Sequence, residues 1–255
     1  MKKILIRIIP SFQSSCFGTY HDCSQAGAWE QVLKKLFIIM ILLCGGFHSL
    51  RAEYKVGDTT SFWSVSYIDW YSGNYPKQDH IPAVCKKVGE QCYVFIEKKY
   101  VDSIPQSTID YYAGQFDTVY YPRLTPLYGP VPDMLDHDPR VFLFVTYNDW
   151  WSGYEDPTSE LPDTMTMRIW GVHSNEHEML YFSTIWFKPE NVCAVAHEFG
   201  HLLHWGQDHS PEPPDKPVKY WEDTWVDEGF STFAQDYLCS DINQKDVPDN
   251  GFFSV

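Results

Sequence analysis

The sequence predicts an α+β domain from the order of its apolar segments. Short runs rich in β-branched and aromatic residues, which favour strands, lie in the first part of the chain. Two segments with helical periodicity come later and are joined by a loop that contains four prolines. The strands and one helix thus come first and two helices come last, and this order indicates an α+β fold.

The same patterns place the individual elements. Strands are predicted at 62–70, 92–97, 141–146 and 178–184, and helices at 107–120, 191–205 and 223–238. The segments 148–168 and 206–219 are predicted to be loops, and 241–255 an irregular tail.

The first 52 residues have the features of an export signal. Lys34 and Lys35 precede an apolar run from Leu36 to Leu43, and Ala52 is a small residue suited to cleavage. This run is shorter than the roughly 20 residues that a membrane helix needs. We therefore interpret 1–52 as a signal peptide region, with 1–30 either an extension from a start codon assigned too early or an extended n-region. Residues 53–255 are predicted to be one secreted or periplasmic domain with no stable membrane span.

The predicted domain is strongly acidic. The chain has a formal charge of −15, and all but two of its 34 Asp and Glu residues follow residue 52. Such a surface repels nucleic acid and anionic lipid, so partners of these kinds are not expected. It suits an exported monomer and is compatible with calcium binding, although acidity that only maintains solubility is the simpler interpretation.

Four of the seven cysteines lie in the predicted domain, and an even number in an exported chain indicates disulfides. Cys85 and Cys92 flank a segment typical of a hairpin connection, so a local bridge is predicted there. Cys193 and Cys239 lie on or near the two later helices and could link them. No Cys-x-x-Cys pair occurs, which argues against a thiolate zinc site.

The helix 191–205 contains the pattern His197-Glu198-Phe199-Gly200-His201. Residues i and i+4 lie on one face of a helix, so the two imidazoles can bind one ion. Glu198 can then reach a zinc-bound water as a general base without being a ligand. The alternative is a surface helix with two solvated histidines. The residues that flank the motif are apolar, which is typical of a buried helix and argues against this alternative.

A catalytic zinc usually has three protein ligands and one water. Gln207 stands where one class of such proteins has a third histidine, so that class is excluded. The second helix offers Glu228, 27 residues after His201, within WVDEGFSTFA. Asp227 and Glu222 are the alternatives for this third ligand.

The two motifs, HEFGH and WVDEGFSTFA, resemble the paired signatures of gluzincin metallopeptidases. The segments SNEHEMLY at 174–181 and VGD at 56–58 are similar to hyicolysin-type secreted bacterial metallopeptidases. The resemblance implies a zincin-like fold, a small mixed sheet with an active-site helix and a second helix that bears the third ligand. It also implies one catalytic Zn²⁺ bound by His197, His201 and Glu228, with Glu198 as general base and then proton donor to the leaving amine.

Two departures from the family pattern affect the expected activity. Thr232 occupies a position where some gluzincins have an Asp that orients a histidine ligand. The family often supplies the donor that stabilises the oxyanion from a residue beyond the third ligand. In this chain the only candidate there is Tyr237. The donor could instead be Tyr181 or Tyr220, or the chain could be incomplete at its C-terminus. The absence of the Gly-x-Met-Glu-Asn element of aminopeptidases favours an endopeptidase with a polypeptide substrate, which the strand 179–183 could bind as an edge strand. The rival hypotheses are a zinc-binding pseudoenzyme or adhesin-like module, and a metal-free structural module.

Overall fold

A computed structural model describes residues 54–67, 77–133, 135–149, 151–209 and 223–240. The chain divides into two units, residues 1–50 and 51–255, and all described residues lie in the second. The predicted signal region, the tail 241–255 and most of the proline-containing loop lie outside the described residues.

The fold contains one mixed six-stranded sheet, which confirms the α+β class. Its strands are β1 (Thr59–Tyr67), β2 (Lys77–Val88), β3 (Cys92–Glu97), β4 (Val141–Thr146), β5 (Gly153–Glu155) and β6 (Met179–Ser183). They are ordered β1-β2-β3-β4-β6-β5. The pairs β3–β4 and β4–β6 are parallel, and the other three pairs are antiparallel.

The central strands are buried on both faces, which explains why their sequences are continuous apolar runs. Successive side chains alternate between two apolar layers. Leu143 and Leu180 belong to the layer beneath the helices, whereas Phe144 and Tyr181 belong to the layer on the opposite face. The sheet thus carries a helix-covered face, against which the candidate site is assembled, and a second face filled mainly by aromatic rings.

The sheet curls so that its first and last strands are linked by side chains. The hydroxyl of Tyr154, on β5, lies 3.2 Å from the backbone N of Val65 and 2.9 Å from Oγ of Ser64, both on β1. Asn175 hydrogen-bonds with the backbone N and O of Trp63, each at 2.8 Å. These contacts satisfy backbone groups at the edge of β1 and enclose the aromatic layer.

Five α-helices are present among the described residues: α1 (Gln106–Gln115), α2 (Tyr121–Tyr128), α3 (Asp163–Ile169), α4 (Ala194–His209) and α5 (Thr224–Cys239). A π-helical turn, Phe116–Tyr120, joins α1 to α2, so the predicted helix 107–120 is the start of a longer helical segment. None of the helices in the described ranges has the length and apolar composition that a bilayer crossing requires.

The segment 148–168 is not simply a loop, as the sequence predicted. It contains β5, the 3₁₀ turn Pro157–Glu160 and most of α3. The strand β5 has only three residues and pairs with β6, so its formation depends on a tertiary contact and not on a local apolar pattern. Of β2, the sequence predicted only the C-terminal end, as one arm of the hairpin between Cys85 and Cys92.

One of the two expected disulfides is confirmed. Cys193, directly before α4, is bonded to Cys239, the last residue of α5, and the bond links the two helices that carry the candidate site. The bridge predicted between Cys85 and Cys92 is wrong, because both cysteines are buried free thiols. The hairpin exists, but Cys85 pairs with Phe95 in the aromatic layer, whereas Cys92 faces the layer beneath the helices.

Candidate metal centre

Helix α4 presents its two histidines to a neighbouring helix because its other face is anchored in the core. The buried residues of α4 beneath the sheet include Val195, Phe199 and Leu202. His197 and His201, which are four residues apart, therefore lie together on the remaining face, where their side chains are 21% and 11% exposed.

Helix α5 packs closely on α4 at a glycine of the predicted motif. A Cβ atom on Gly200 would lie 3.1 Å from the Cα of Ser231 and 3.2 Å from the Cβ of Ala234. A side chain at this position would require Ser231 or Ala234 to move by a few tenths of an ångström, so glycine favours this close approach. The close packing brings Glu228 of α5 to the two histidines of α4.

The three predicted ligands converge. Nε2 of His197 lies 3.2 Å from Nε2 of His201 and 3.3 Å from Oε2 of Glu228, and the third side of the triangle, from His201 to Glu228, is 3.8 Å. Among the described residues, this is the only group of three His, Cys, Asp or Glu ligand atoms within 4.8 Å of one another. Asp227 is therefore not part of the ligand set, and Glu222 lies outside the described residues.

The spacing of these donors fits a tetrahedral ion. Ligand atoms about 2.0–2.1 Å from zinc, separated by the tetrahedral angle, lie roughly 3.3–3.4 Å from each other. The three observed separations of 3.2, 3.3 and 3.8 Å are close to this value. Two imidazole nitrogens and one carboxylate oxygen form a donor set that zinc commonly takes.

Asp227 orients one of the ligands, a role that the sequence did not assign to it. Its Oδ1 lies 2.9 Å from Nδ1 of His201 and 3.2 Å from Nδ1 of His204. A hydrogen bond at Nδ1 leaves the lone pair of Nε2 free to bind a metal. The consecutive residues Asp227 and Glu228 thus supply the orienting carboxylate and the third ligand from one turn of α5. His204 lies at the rim of the site, packed on Phe230 with ring centroids 4.7 Å apart.

The charges of this group shift the pKa values of its members. Burial lowers the pKa of His201, but the hydrogen bond to Asp227 and the charge of Glu198 outweigh it and raise the pKa to about 9. The hydrogen bond to His197 holds the pKa of Glu228 below its usual value. Nδ1 of His197 is buried and has no hydrogen-bond partner among the described residues, so Asp227 has no counterpart at this second histidine.

Glu198 lies next to the candidate ligand group and is not part of it. Its side chain is only 7% exposed, and burial raises the pKa of its carboxyl group, an effect that His197 and His201 partly oppose. Glu198 lies against β5, since a Cβ on Gly153 would be 3.1 Å from Cγ of Glu198. The side chain of Glu198 therefore lies against β5 and near enough to His197 and His201 for their charges to act on its carboxyl group.

The strand that ends the sheet beside the site is β5, so the prediction that 179–183 is an edge strand is wrong. β6 pairs with β4 on one side and with β5 on the other. Gly153–Glu155 is the last strand of the sheet and runs antiparallel to β6. Any extended chain that adds to the sheet at this end would pair with β5.

The tyrosines proposed as oxyanion donors are not brought to the centre. Tyr181 lies in the aromatic layer on the face opposite α4, where its hydroxyl contacts Ser159 and Asn175 at 2.8 and 2.7 Å. Tyr237 is half-exposed on α5 and stacks on Phe233. Tyr220 lies outside the described residues, so its candidacy stays a prediction.

Comparison with known proteins gives no family for this chain. No protein-family model matches it, and no curated protein sequence matches it significantly. The fold and the site therefore define its class by themselves: an α+β protein with a candidate metal centre formed by His197, His201 and Glu228.

Proposed function

We propose that the chain is a secreted, zinc-dependent endopeptidase of the gluzincin type, with a zincin-like arrangement of the sheet, α4 and α5. The observation that carries the proposal is the near-tetrahedral spacing of His197, His201 and Glu228 beside a buried carboxyl group, Glu198. The motif HEFGH alone predicts two of these ligands. The position of Glu228 depends on the packing of two helices and is independent support.

A zinc ion held by His197, His201 and Glu228 would supply Lewis-acid chemistry, polarising the scissile carbonyl and lowering the pKa of a water molecule. Glu198 accepts the proton of that water and transfers it to the leaving amine. Burial raises the pKa of Glu198 from that of an ordinary carboxyl, which makes it a stronger base for the first transfer. Asp227 keeps His201 in the tautomer that binds the metal.

The proposed substrate is an extended or unfolded polypeptide. The outer edge of β5 is the end of the sheet nearest Glu198, and a peptide paired with this edge would lie beside the carboxyl group of Glu198. Export of the protein is supported by the disulfide between Cys193 and Cys239, since such bonds persist in oxidising compartments. Calcium binding and the monomeric state stay predictions.

The second candidate is a zinc-binding module without proteolytic activity. It is favoured by the positions of Tyr181 and Tyr237, neither of which lies at the metal ligands. A catalytic centre then needs its oxyanion donor from elsewhere, such as Tyr220.

Zinc content measured together with cleavage of unfolded casein separates these functions. We compare the full chain with Glu198→Gln, and use Glu90→Gln as the matched control because Glu90 is exposed in a turn. The peptidase proposal predicts zinc in all three proteins and cleavage in all but Glu198→Gln. Zinc in all three without cleavage would favour the binding module, and a chain without zinc would favour a metal-free structural module.

A further inference from the structure

A group of buried and half-buried carboxyl side chains lies where β5 leads into the 3₁₀ turn Pro157–Glu160. Glu160 is only 2% exposed, and so is Glu178, the residue directly before β6. Within the described part of the chain, neither carboxyl oxygen of Glu160 has a hydrogen-bond donor, and Oε1 of Glu155 also lacks one. The carboxyl groups of Glu155 and Glu160 are within hydrogen-bonding distance of each other.

Two ionised carboxylates cannot remain in contact in a buried site without compensation. Either a cation or a shared proton must neutralise part of their charge. Oxygen ligands lie about 2.3–2.6 Å from Ca²⁺, so the ligands of one ion are at most roughly 5 Å apart. Glu155, Glu160 and Glu178 do not bring three ligand atoms within 4.8 Å of one another, which argues against one ion bound by all three. A proton needs only the two carboxyl groups that already touch.

We propose that Glu155 and Glu160 share one proton at neutral pH, and that this carboxyl pair holds β5 against the turn Pro157–Glu160. One carboxyl group is then the donor and the other the acceptor, which satisfies buried oxygens that otherwise have no partner. The inference does not rest on the proposed function, because it concerns the contact between two carboxyl groups and not the activity of the metal centre.

The surrounding charges support a retained proton on Glu160. Burial raises the pKa of Glu160 well above its ordinary value, and the neighbouring charges of Glu155, Glu178 and Asp156 raise it further. Each of these neighbours is acidic, so no charge in this set favours the ionised form.

Glu155 faces a more mixed set of charges. Burial raises the pKa of Glu155 as well, and this effect is opposed by His201 of α4. Asp156, Asp227 of α5 and Glu198 of α4 act in the same direction as burial. We therefore assign the retained proton mainly to Glu160, with Glu155 as its acceptor.

The pair lies two residues along β5 from Gly153, which is packed against Glu198. Because the pKa of Glu160 is raised in the folded chain, its contribution to stability is complete below the unfolded pKa of about 4.3 and is lost as the pH rises toward the folded pKa. Ionisation would then weaken the attachment of β5 next to the candidate metal centre.

Thermal unfolding of the full chain as a function of pH tests this inference. In the nearly isosteric variant Glu160→Gln, the amide NH₂ donates to Glu155 permanently, so the melting temperature should exceed that of the parent by an amount that grows with pH. From about pH 5 to 8 we expect the difference to increase by roughly 3–5 °C per pH unit until the folded pKa is reached. Glu90→Gln, at an exposed turn, should follow the parent throughout. A difference that does not change with pH would overturn the inference.

Infrared spectroscopy gives a measurement that does not depend on stability. The parent at pH 7 should show the carbonyl band of a protonated carboxyl group, and Glu160→Gln should lack it. A parent without this band would overturn the shared proton. So would stabilisation of the parent by added Ca²⁺ that is absent in Glu160→Gln, since a cation would then neutralise the pair.

Discussion

Oδ1 of Asp227 lies 2.9 Å from Nδ1 of His201, and the next residue, Glu228, supplies the third donor of the candidate metal centre. Two consecutive residues on α5 therefore act on the same ion site in different ways. The carboxylate of Asp227 fixes the histidine ring, and that of Glu228 completes the donor set.

Replacing Asp227 with Asn should lower zinc affinity about 10–100-fold, since this is the usual effect of removing an orienting carboxylate. Competition with a chelator of known affinity measures the change. Asp236→Asn is the matched control, because Asp236 is exposed on the same helix. Equal affinities in the two variants would show that the contact with His201 does not tune the site.

Gly200 sets the distance between α4 and α5 at the site. Gly200→Val should force the helices apart, because even a Cβ would lie 3.1 Å from the Cα of Ser231. We expect a loss of about 1–3 kcal/mol in the free energy of unfolding and weaker zinc binding, measured by urea denaturation and chelator competition. Gly229→Ala, where a Cβ meets nothing within 4 Å, should instead gain about 0.5–1 kcal/mol. Unchanged zinc affinity in Gly200→Val would contradict the packing argument.

Gly153 brings β5 into contact with Glu198. Gly153→Ala places a methyl group 3.1 Å from Cγ of Glu198 and 3.1 Å from the backbone O of Tyr181, so either the strand or the carboxyl group must move. Cleavage of casein should fall while the zinc content is unchanged. Gly114→Ala, in open space on α1, serves as the control and should retain full activity. A normal rate in Gly153→Ala would show that the position of β5 is not critical.

The disulfide between Cys193 and Cys239 closes a separation of 46 residues that includes both site helices. Its removal in the double variant Cys193→Ser, Cys239→Ser should lower the free energy of unfolding by about 3–4 kcal/mol. Urea denaturation in oxidising and reducing buffer measures this, and reductant should affect the parent but not the variant. An identical midpoint for the parent in both buffers would indicate that the bond does not contribute.

The sequence predicted the parts of the site that depend on local geometry. His197 and His201 face one direction because residues i and i+4 of any helix do so. The choice of Glu228 came from a family resemblance, and the structure places it with the histidines. The role of Asp227 was missed, because which residue beside Glu228 meets His201 depends on how α5 is rotated against α4.

The errors in the fold also arise from tertiary contacts. The hairpin around Cys85 and Cys92 was recognised, but a register shift between Cys85 and Lys87 and the alternation of β3 place the two thiols in different layers. The strand β5 was missed because three residues carry no period and form a strand only by pairing with β6. This same strand displaces 179–183 from the edge of the sheet.

Zinc stoichiometry of the full chain and of Glu228→Gln is the measurement that tests the central claim most directly. The account predicts one zinc per chain in the parent and a loss of affinity in Glu228→Gln greater than the roughly 10–100-fold effect of an orienting residue. Glu90→Gln should bind zinc like the parent. Zinc that is absent from the parent, or bound equally well by Glu228→Gln, would contradict the assignment of His197, His201 and Glu228 as the metal ligands.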